Sequence, residues 1–381
     1  GLGDVYKRQY YDRFSGDFGH VIIETFFDEP TMYRAKGRMW TDKFNEKFTA
    51  RYGYSPELLY PALWYNIGEE TQSARNRLFG LRASLYAEGF MKTIQEWASA
   101  HGIYSTGHQD QEEILNPVSV AGDLMLCGKY MDIPGIDKIG GNRPAELFYK
   151  IISSSAYNWD KRQVMSETFG AMGNLTVKEL YHIAMEQYAK GINTLIPHAV
   201  WYNDKDVTFL PELSWRNELY RDSLPAFNKF LTRLNYILQQ EGRHVADIAM
   251  LYPIESLQGE HVLDGSLGFY EGGIRIPNTD YIHVSALLTD TLGRDFTYLH
   301  PEVLSTKCDV KDGLLHLDNK INKEAFRLII LPGMKTISLA NLQKIASFHQ
   351  AGGSVIFTTQ LPEKSVEPGK DGEVKKIVNR M

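Results

Sequence analysis

The sequence predicts an α/β fold in two parts: a partial (β/α)8 barrel of parallel strands, strands four to eight, followed by a smaller α/β module. Three observations predict it. Short apolar runs alternate with helical patterns over the first two-thirds of the chain, which is the mark of parallel βα units. Two of those runs stop on acids, Val21–Phe27 before Asp28-Glu29-Pro30 and Gln163–Ser166 before Glu167, and a parallel barrel carries its chemistry at the carboxyl ends of its strands. A second series of strand and helix patterns begins after Glu241-Gly242-Arg243, a helix stop.

Taken in order, Gly1–Gln9 (GLGDVYKRQ) reads as translated sequencing-adapter read-through and is excluded from the fold; native sequence is expected from about Tyr10. Strands are expected over His20–Asp28, Gly102–Thr106, Leu124–Met131, Gln163–Ser166 and Ile192–Ile196, each bounded by a turn signal such as Pro30, Gly107-His108 or Pro197-His198. Between them lie helical patterns at Tyr33–Arg51, Ser73–Ala100, Ala145–Ser154 and Val177–Lys190. Five strands are fewer than a barrel's eight, and too few residues precede the second module for a barrel, which takes roughly 250. Residues 10–242 are therefore read as the C-terminal, catalytic part of a barrel whose first three strands lie upstream. A long amphipathic helix, Asn217–Gln240, ends this part.

Over 243–381, strands are expected at Asp247–Tyr252, Phe296–Leu299, Leu328–Leu331 and Ser354–Thr358, with helices near His283–Leu292 and Ser338–Gln350. Pro362–Lys370 is polar and contains Gly and Pro, so this module is expected to be truncated.

Composition narrows the function. The chain has 381 residues, 43% apolar and 23% charged, with a net charge of −6 and a pI near 6.0. Nothing in that balance attracts nucleic acid or an anionic membrane, and no apolar run reaches the roughly 18–20 residues that span a bilayer. Aromatic residues reach 12%, and flat rings suit sugar faces. Cys127 and Cys308 are the only cysteines, too few for a disulfide framework or a CxxC metal site. No HExxH, P-loop or GxSxG occurs, which argues against zincin, NTPase and α/β-hydrolase chemistry.

The candidate chemistry rests on carboxylates. Glu29 follows Phe26-Phe27 and precedes Pro30, which ends the strand and leaves the acid at the mouth; apolar neighbours raise a carboxyl pKa and suit a general acid. Glu167 closes the fourth predicted strand, and only a barrel would bring it opposite Glu29. Two such acids are the minimum for cleaving a glycosidic bond. Asp28 is a candidate for sugar hydroxyls. The loop Gly107-His108-Gln109-Asp110-Gln111-Glu112 offers His108 and Gln109 to substrate, and Asp110 and Glu112 to a hard cation such as calcium. Asp132, after the third predicted strand, and His198, Trp201 and Tyr202, after the fifth, complete the candidate sugar site; Asp137 is read as only orienting its loop.

The FFDEP segment, the GH-x-x-x-E loop, MDIPGID, SETFG and PHAVWY resemble large glycoside hydrolases near family 106, the α-L-rhamnosidases. They also resemble family 42 β-galactosidases, in which a barrel is followed by a flavodoxin-like or glutamine-amidotransferase-like domain. The resemblance implies a calcium-assisted inverting glycosidase with Glu29 as acid and Glu167 as base. A retaining β-galactosidase-like enzyme and a non-catalytic carbohydrate-binding protein are the alternatives. An amidotransferase nucleophile needs a cysteine at a tight strand–helix turn, and Lys307-Cys308-Asp309 is no such turn, so the second module is expected to be non-catalytic.

Overall fold

Alternation along each short strand decides what the first sheet shows to either side. In the computed structural model, which describes residues 9–32, 39–112, 115–140, 148–263 and 276–381, strands β1 (Glu24–Phe27), β2 (Tyr104–Gly107), β3 (Ile133–Lys138), β4 (Met165–Thr168) and β5 (Thr194–Pro197) form one parallel sheet in sequence order. On β4, Ser166 and Thr168 share a 2.8 Å hydrogen bond, and Thr168 meets Gln187 of the following helix. The period of two therefore turns Met165 and Glu167 to the opposite, inner face. The sheet is curled into half a barrel.

Its pairing changes hands at β3. Ile133 and Pro134 pair with Thr106 and Gly107 of β2, whereas Gly135 to Lys138 pair with Met165 to Thr168 of β4. Packing there is close. A Cβ on Gly135 would stand 2.2 Å from the Gly107 carbonyl oxygen and 2.3 Å from Met165 Cε.

Four helical patterns hold with shifted ends. Ser73–Ala100 is realised as Thr71–Ala87 and Thr93–Ala100, joined by a π-turn. Val177–Ala189 starts on a capping box, in which Thr176 and Glu179 satisfy each other's backbone amides. Phe44–Tyr52 and Tyr149–Asn158 replace the expected Tyr33–Arg51 and Ala145–Ser154; residues 33–38 and 141–147 lie outside the described residues, as do 1–8 of the supposed read-through. The long Asn217–Gln240 helix is shortened to Leu224–Leu238, with Pro225 in its first turn.

One expected strand is a helix. Leu124–Lys129 is helical because Asp123 caps it, accepting from the Leu126 amide at 3.0 Å, and Leu and Met are strong helix formers. The third strand is instead the Ile133–Lys138 segment that reads as a loop. Its proline sits where the pairing to β2 ends, so little of the ladder is lost.

The second module has a four-stranded parallel sheet of β6 (Ile248–Leu251), β7 (Thr297–Leu299), β11 (Leu328–Leu331) and β13 (Ser354–Phe357), ordered β13-β11-β6-β7. All four lie where the apolar runs predict. Unforeseen is an antiparallel unit of β8 (Cys308–Lys311), β9 (Leu314–Leu317) and β10 (Glu324–Phe326). Its turn signal is Asp312-Gly313, both residues with positive φ, the preference of a type I′ hairpin. Two two-residue strands, β12 (Thr336–Ile337) and β14 (Lys364–Ser365), pair with each other.

The main sheet of this module has two buried faces. Met250, Tyr298 and Ile330 join one core with the helices of the half-barrel, including Leu78, Phe79 and Tyr149. Ala249, Leu251, Leu299 and Leu331 fill a second core under the Leu339–Gln350 helix. At the same junction the Lys150 ammonium, 1% exposed, reaches Asp295 at 2.6 Å. His244 binds both Asp295 (2.7 Å) and Glu324 (2.5 Å) and stacks on Tyr157. Among the described residues, no helix is long and apolar enough to cross a membrane.

Gly135→Ala is expected to lower stability by at least about 2 kcal/mol in urea unfolding, the cost of overpacking against backbone. Gly89→Ala, with nothing within 4 Å of the added methyl, is expected to leave stability unchanged or raise it by about 0.4–1 kcal/mol.

Candidate active site

The inner face and the strand ends converge on one buried imidazole. His108 follows β2 and is 1% exposed. Its Nε2 lies 2.8 Å from Glu167 Oε2, from β4, and 3.5 Å from Asp28 Oδ1, after β1. Phe26 stands edge-on to the ring at 5.5 Å. Glu29 follows Asp28 with a φ of 45°, a left-handed conformation uncommon outside glycine and frequent at functional sites. Asp28, Glu29 and His108 bring ligand atoms within 4.8 Å of one another, and so do His108, Asp137 and Glu167. The two glutamates of FFDEP and SETFG thus share one centre.

Asp137 is the member the sequence undervalues. It pairs in register with Glu167 across β3 and β4 and faces the same imidazole. The signal for it was Asp123: a helix cap there moves the strand to Ile133–Lys138 and puts Asp137 near its carboxyl end.

The His108 loop is supported from below. Glu112, buried, accepts the Gln109 amide at 2.7 Å through Oε1 and the Asp137 amide at 3.2 Å through Oε2. Tyr86 donates to Gln109 Oε1 at 2.8 Å. Gln111, at φ 52°, turns the chain.

The electrostatics follow from crowding acids into a partly dry site. Burial, then the charges of Asp110 and Asp28 and that of Glu167, push the Glu29 carboxyl above its ordinary range, with His108 opposing. Asp137 is pushed up to about 7 by burial and the neighbouring acids, again against His108. Burial drives Glu112 well up. For His108 burial alone would lower the pKa, but the bond to Glu167 and the charges of Glu112 and Asp137 raise it to about 10. The imidazole is therefore a cation at neutral pH, donating to Glu167.

Several expected site residues lie elsewhere. Asp132 precedes β3 and accepts from the Ser105 amide and hydroxyl and from Gln95; it tethers the amino end of the sheet, away from the mouth. Its placement failed because the helix before it was read as the strand. Gln109 is fully buried; its Oε1 accepts from Tyr86, while its Nε2 has no hydrogen-bond partner, so the side chain braces the loop from within. Glu112 spends both oxygens on backbone amides; Asp110 is buried beside Glu29 and acts on it by charge. Among the described residues, the groups close enough to share an ion are those around His108, not the Asp110–Glu112 pair. Tyr202 is 101% exposed, too open for the floor of a pocket. Trp201 stands edge-on to His198 at 5.4 Å, and the His198 amide donates to Thr168 at the end of β4. These two remain at the rim.

A family model described as α-L-rhamnosidase, glycoside hydrolase family 106, matches residues 4–381. Among curated protein sequences none matches the chain. A solved rhamnosidase from Novosphingobium sp. PP1Y is similar in structure, with a TM-score of 0.63 and 18% identity over 90% of this chain and 32% of its own. A catalytic mutant of a family 42 β-galactosidase from G. stearothermophilus has a TM-score of 0.57 and 12% identity, over 85% of this chain and 50% of its own. The β-galactosidase from Bacillus circulans sp. alkalophilus has a TM-score of 0.58 and 14% identity, over 86% and 50%. At these identities the likeness is one of fold. The chain spans about a third of the rhamnosidase and half of the galactosidases.

The raised His108 pKa has a definite sign. A proton bound more tightly in the folded state contributes stability that is complete below the unfolded value, near 6.5, and is lost as pH rises through about 10. His108→Gln should therefore lower the melting temperature most near pH 6, with the gap to wild type closing towards pH 10. A gap that stays constant or widens over that range would refute the charged pairing.

Proposed function

The chain belongs to glycoside hydrolase family 106, the α-L-rhamnosidases, and from that premise we propose that it carries a two-carboxylate site for cleaving a terminal sugar, rhamnose foremost, from a glycoside or polysaccharide. One observation carries the reading: Glu29, after β1, and Glu167, on β4, meet around His108. Glu29 is the general acid. Its raised pKa keeps a proton available for the leaving glycosidic oxygen, as an acid must near neutral pH. Glu167 is the base or nucleophile, and the bond from His108 holds it in place.

Whether it activates water or attacks the anomeric carbon follows from the working separation of the two carboxyls, wider for inversion and shorter for retention. The family favours inversion. Asp28, next to Glu29 in the chain and exposed, is suited to sugar hydroxyls, with Trp201 and His198 at the rim.

The oxygens of Asp28, Glu29, Asp137 and Glu167 fit a hard cation, whereas His108 does not. Calcium held there would anchor sugar hydroxyls electrostatically. Without an ion, the His108 cation supplies the compensating charge.

We read the second module as flavodoxin-like or amidotransferase-like and non-catalytic. Its sheet order suits that class. Cys308 opens a hairpin strand, is buried, and has its thiol pushed up to about 12 by that burial, the opposite of an activated nucleophile.

Glu29→Gln and Glu167→Gln, made separately, should each lower kcat on an aryl α-L-rhamnoside by about 10²–10⁴-fold while leaving sugar binding in place; Glu167→Gln, which removes the charged partner of His108, should also lower the melting temperature. Turnover surviving either change would defeat the mechanism. A β-galactoside or α-arabinoside cleaved faster than the rhamnoside would instead overturn the choice of sugar.

A further inference from the structure

A cleft of about 650 Å³ opens between the two modules, away from the acid cluster. Its volume lies in the range of small-molecule sites. On the half-barrel side its walls come from helices and their ends, among them Tyr52, Arg77 and Tyr130. No residue of the His108 cluster lines it. On the other side stand the segments that leave the carboxyl ends of β6, β7, β11 and β13, including Glu255, His300, Asn341 and Glu367. The strand order β13-β11-β6-β7 sends the chain from β6 outward to β7 on one side and back to β11 on the other. Glu255 and Asn341 follow the two strands that flank this switch point, the place where open parallel sheets take their ligands.

We propose that this cleft is a second ligand site, built for a neutral, hydroxyl-rich small molecule of mono- or disaccharide size. The first ground is Asn341. It lines the cleft, is 1% exposed, and its Oδ1 has no hydrogen-bond partner. A buried acceptor left bare is rare and costly; a ligand hydroxyl would supply the missing donor.

The second ground is what the cleft refuses. In this class of sheet an anion would settle on the first amides of the helix after the strand. Here those amides are already taken. Ser338 N donates to Glu255 Oε2 at 2.9 Å and Leu339 N to Glu367 Oε2 at 3.0 Å. A phosphate would meet two carboxylates in place of free donors.

The third ground is charge balance. His300 Nε2 is 2.8 Å from Asp123, Lys129 is 2.6 Å from Glu302, and Arg77 donates through Nε to the Ser73 carbonyl. Among the described residues, Arg51 and Arg77 have only neutral hydrogen-bond partners, such as the Ser84 hydroxyl and the Ser73 carbonyl. The lining acids (Glu88, Asp123, Glu255, Glu302, Glu367) outnumber the lining Lys and Arg (Arg51, Arg77, Lys129), so the cleft disfavours an anionic guest. What it offers is amide and carboxylate edges beside the tyrosine rings of residues 52 and 130, a flat apolar face with polar borders.

The test is calorimetric titration of the whole chain with L-rhamnose, maltose and inorganic phosphate, repeated on Asn341→Leu, with melting temperature recorded for each. At least one sugar should bind, Asn341→Leu should weaken it tenfold or more, and phosphate should bind neither protein. Because leucine removes an unsatisfied polar atom, the melting temperature of the variant should stay level or rise. Glu167→Gln should retain the Asn341-dependent binding, which separates this cleft from the mouth. If Asn341→Leu does not fold, Tyr130→Leu on the opposite wall should give the same loss. Sugar binding indifferent to these substitutions in folded protein, binding of phosphate, or no binding of either sugar would overturn the proposal.

Discussion

Six carboxylates crowd the end of the half-barrel sheet, and one imidazole makes their company tolerable. Asp28, Glu29, Asp110, Glu112, Asp137 and Glu167 all act on His108 or on one another. Without a cation among them, mutual repulsion and burial would protonate several or force the strand ends apart. His108 is held by Glu167 in front and by a loop that Glu112 and Tyr86 brace from beneath. The rest of the mouth is arranged around that bond. The members also differ in character: Glu29 and Asp137 are driven towards the protonated form, while Glu167 takes the hydrogen bond from the imidazole.

The parts of this design legible in the sequence are those that depend on local rules. Leu328–Leu331 and Val355–Phe357 are short apolar runs near turn residues, and their β-branched content sufficed to mark them. Glu29 and Glu167 were legible because each follows such a run, although Glu167 proves to lie within its strand, not beyond it. The failures share a cause. Leu124–Lys129 is apolar and short, so periodicity could not separate a helix from a buried strand, and the deciding feature was one side-chain cap at Asp123. That single misreading sent Asp132 to the mouth and Asp137 to a supporting role, the reverse of what is found. Tyr202 and Gln109 were judged by chemistry alone, yet exposure and a tertiary partner, neither visible in one sequence, decide what each can do.

The second module is tied to the first by more than proximity. Met250, Tyr298 and Ile330 put one face of its sheet into the same core as the helices of the half-barrel. The chain of Lys150, Asp295, His244 and Glu324 closes that junction with charges that would be expensive to bury singly. A shared core of this kind makes the interface part of folding, so that damage on either side should be felt on the other.

The handover at Ile133–Lys138 has a consequence for the two glutamates. Glu29 rides on the ladder of β1 and β2, which β3 touches only through Ile133 and Pro134, and Glu167 rides on the ladder of β4 and β5. The acids thus sit on two panels joined at a narrow seam, and proline denies that seam one of its stitches. Their spacing is not dictated by a continuous lattice of backbone bonds; it is gauged by side chains reaching across, His108 first among them.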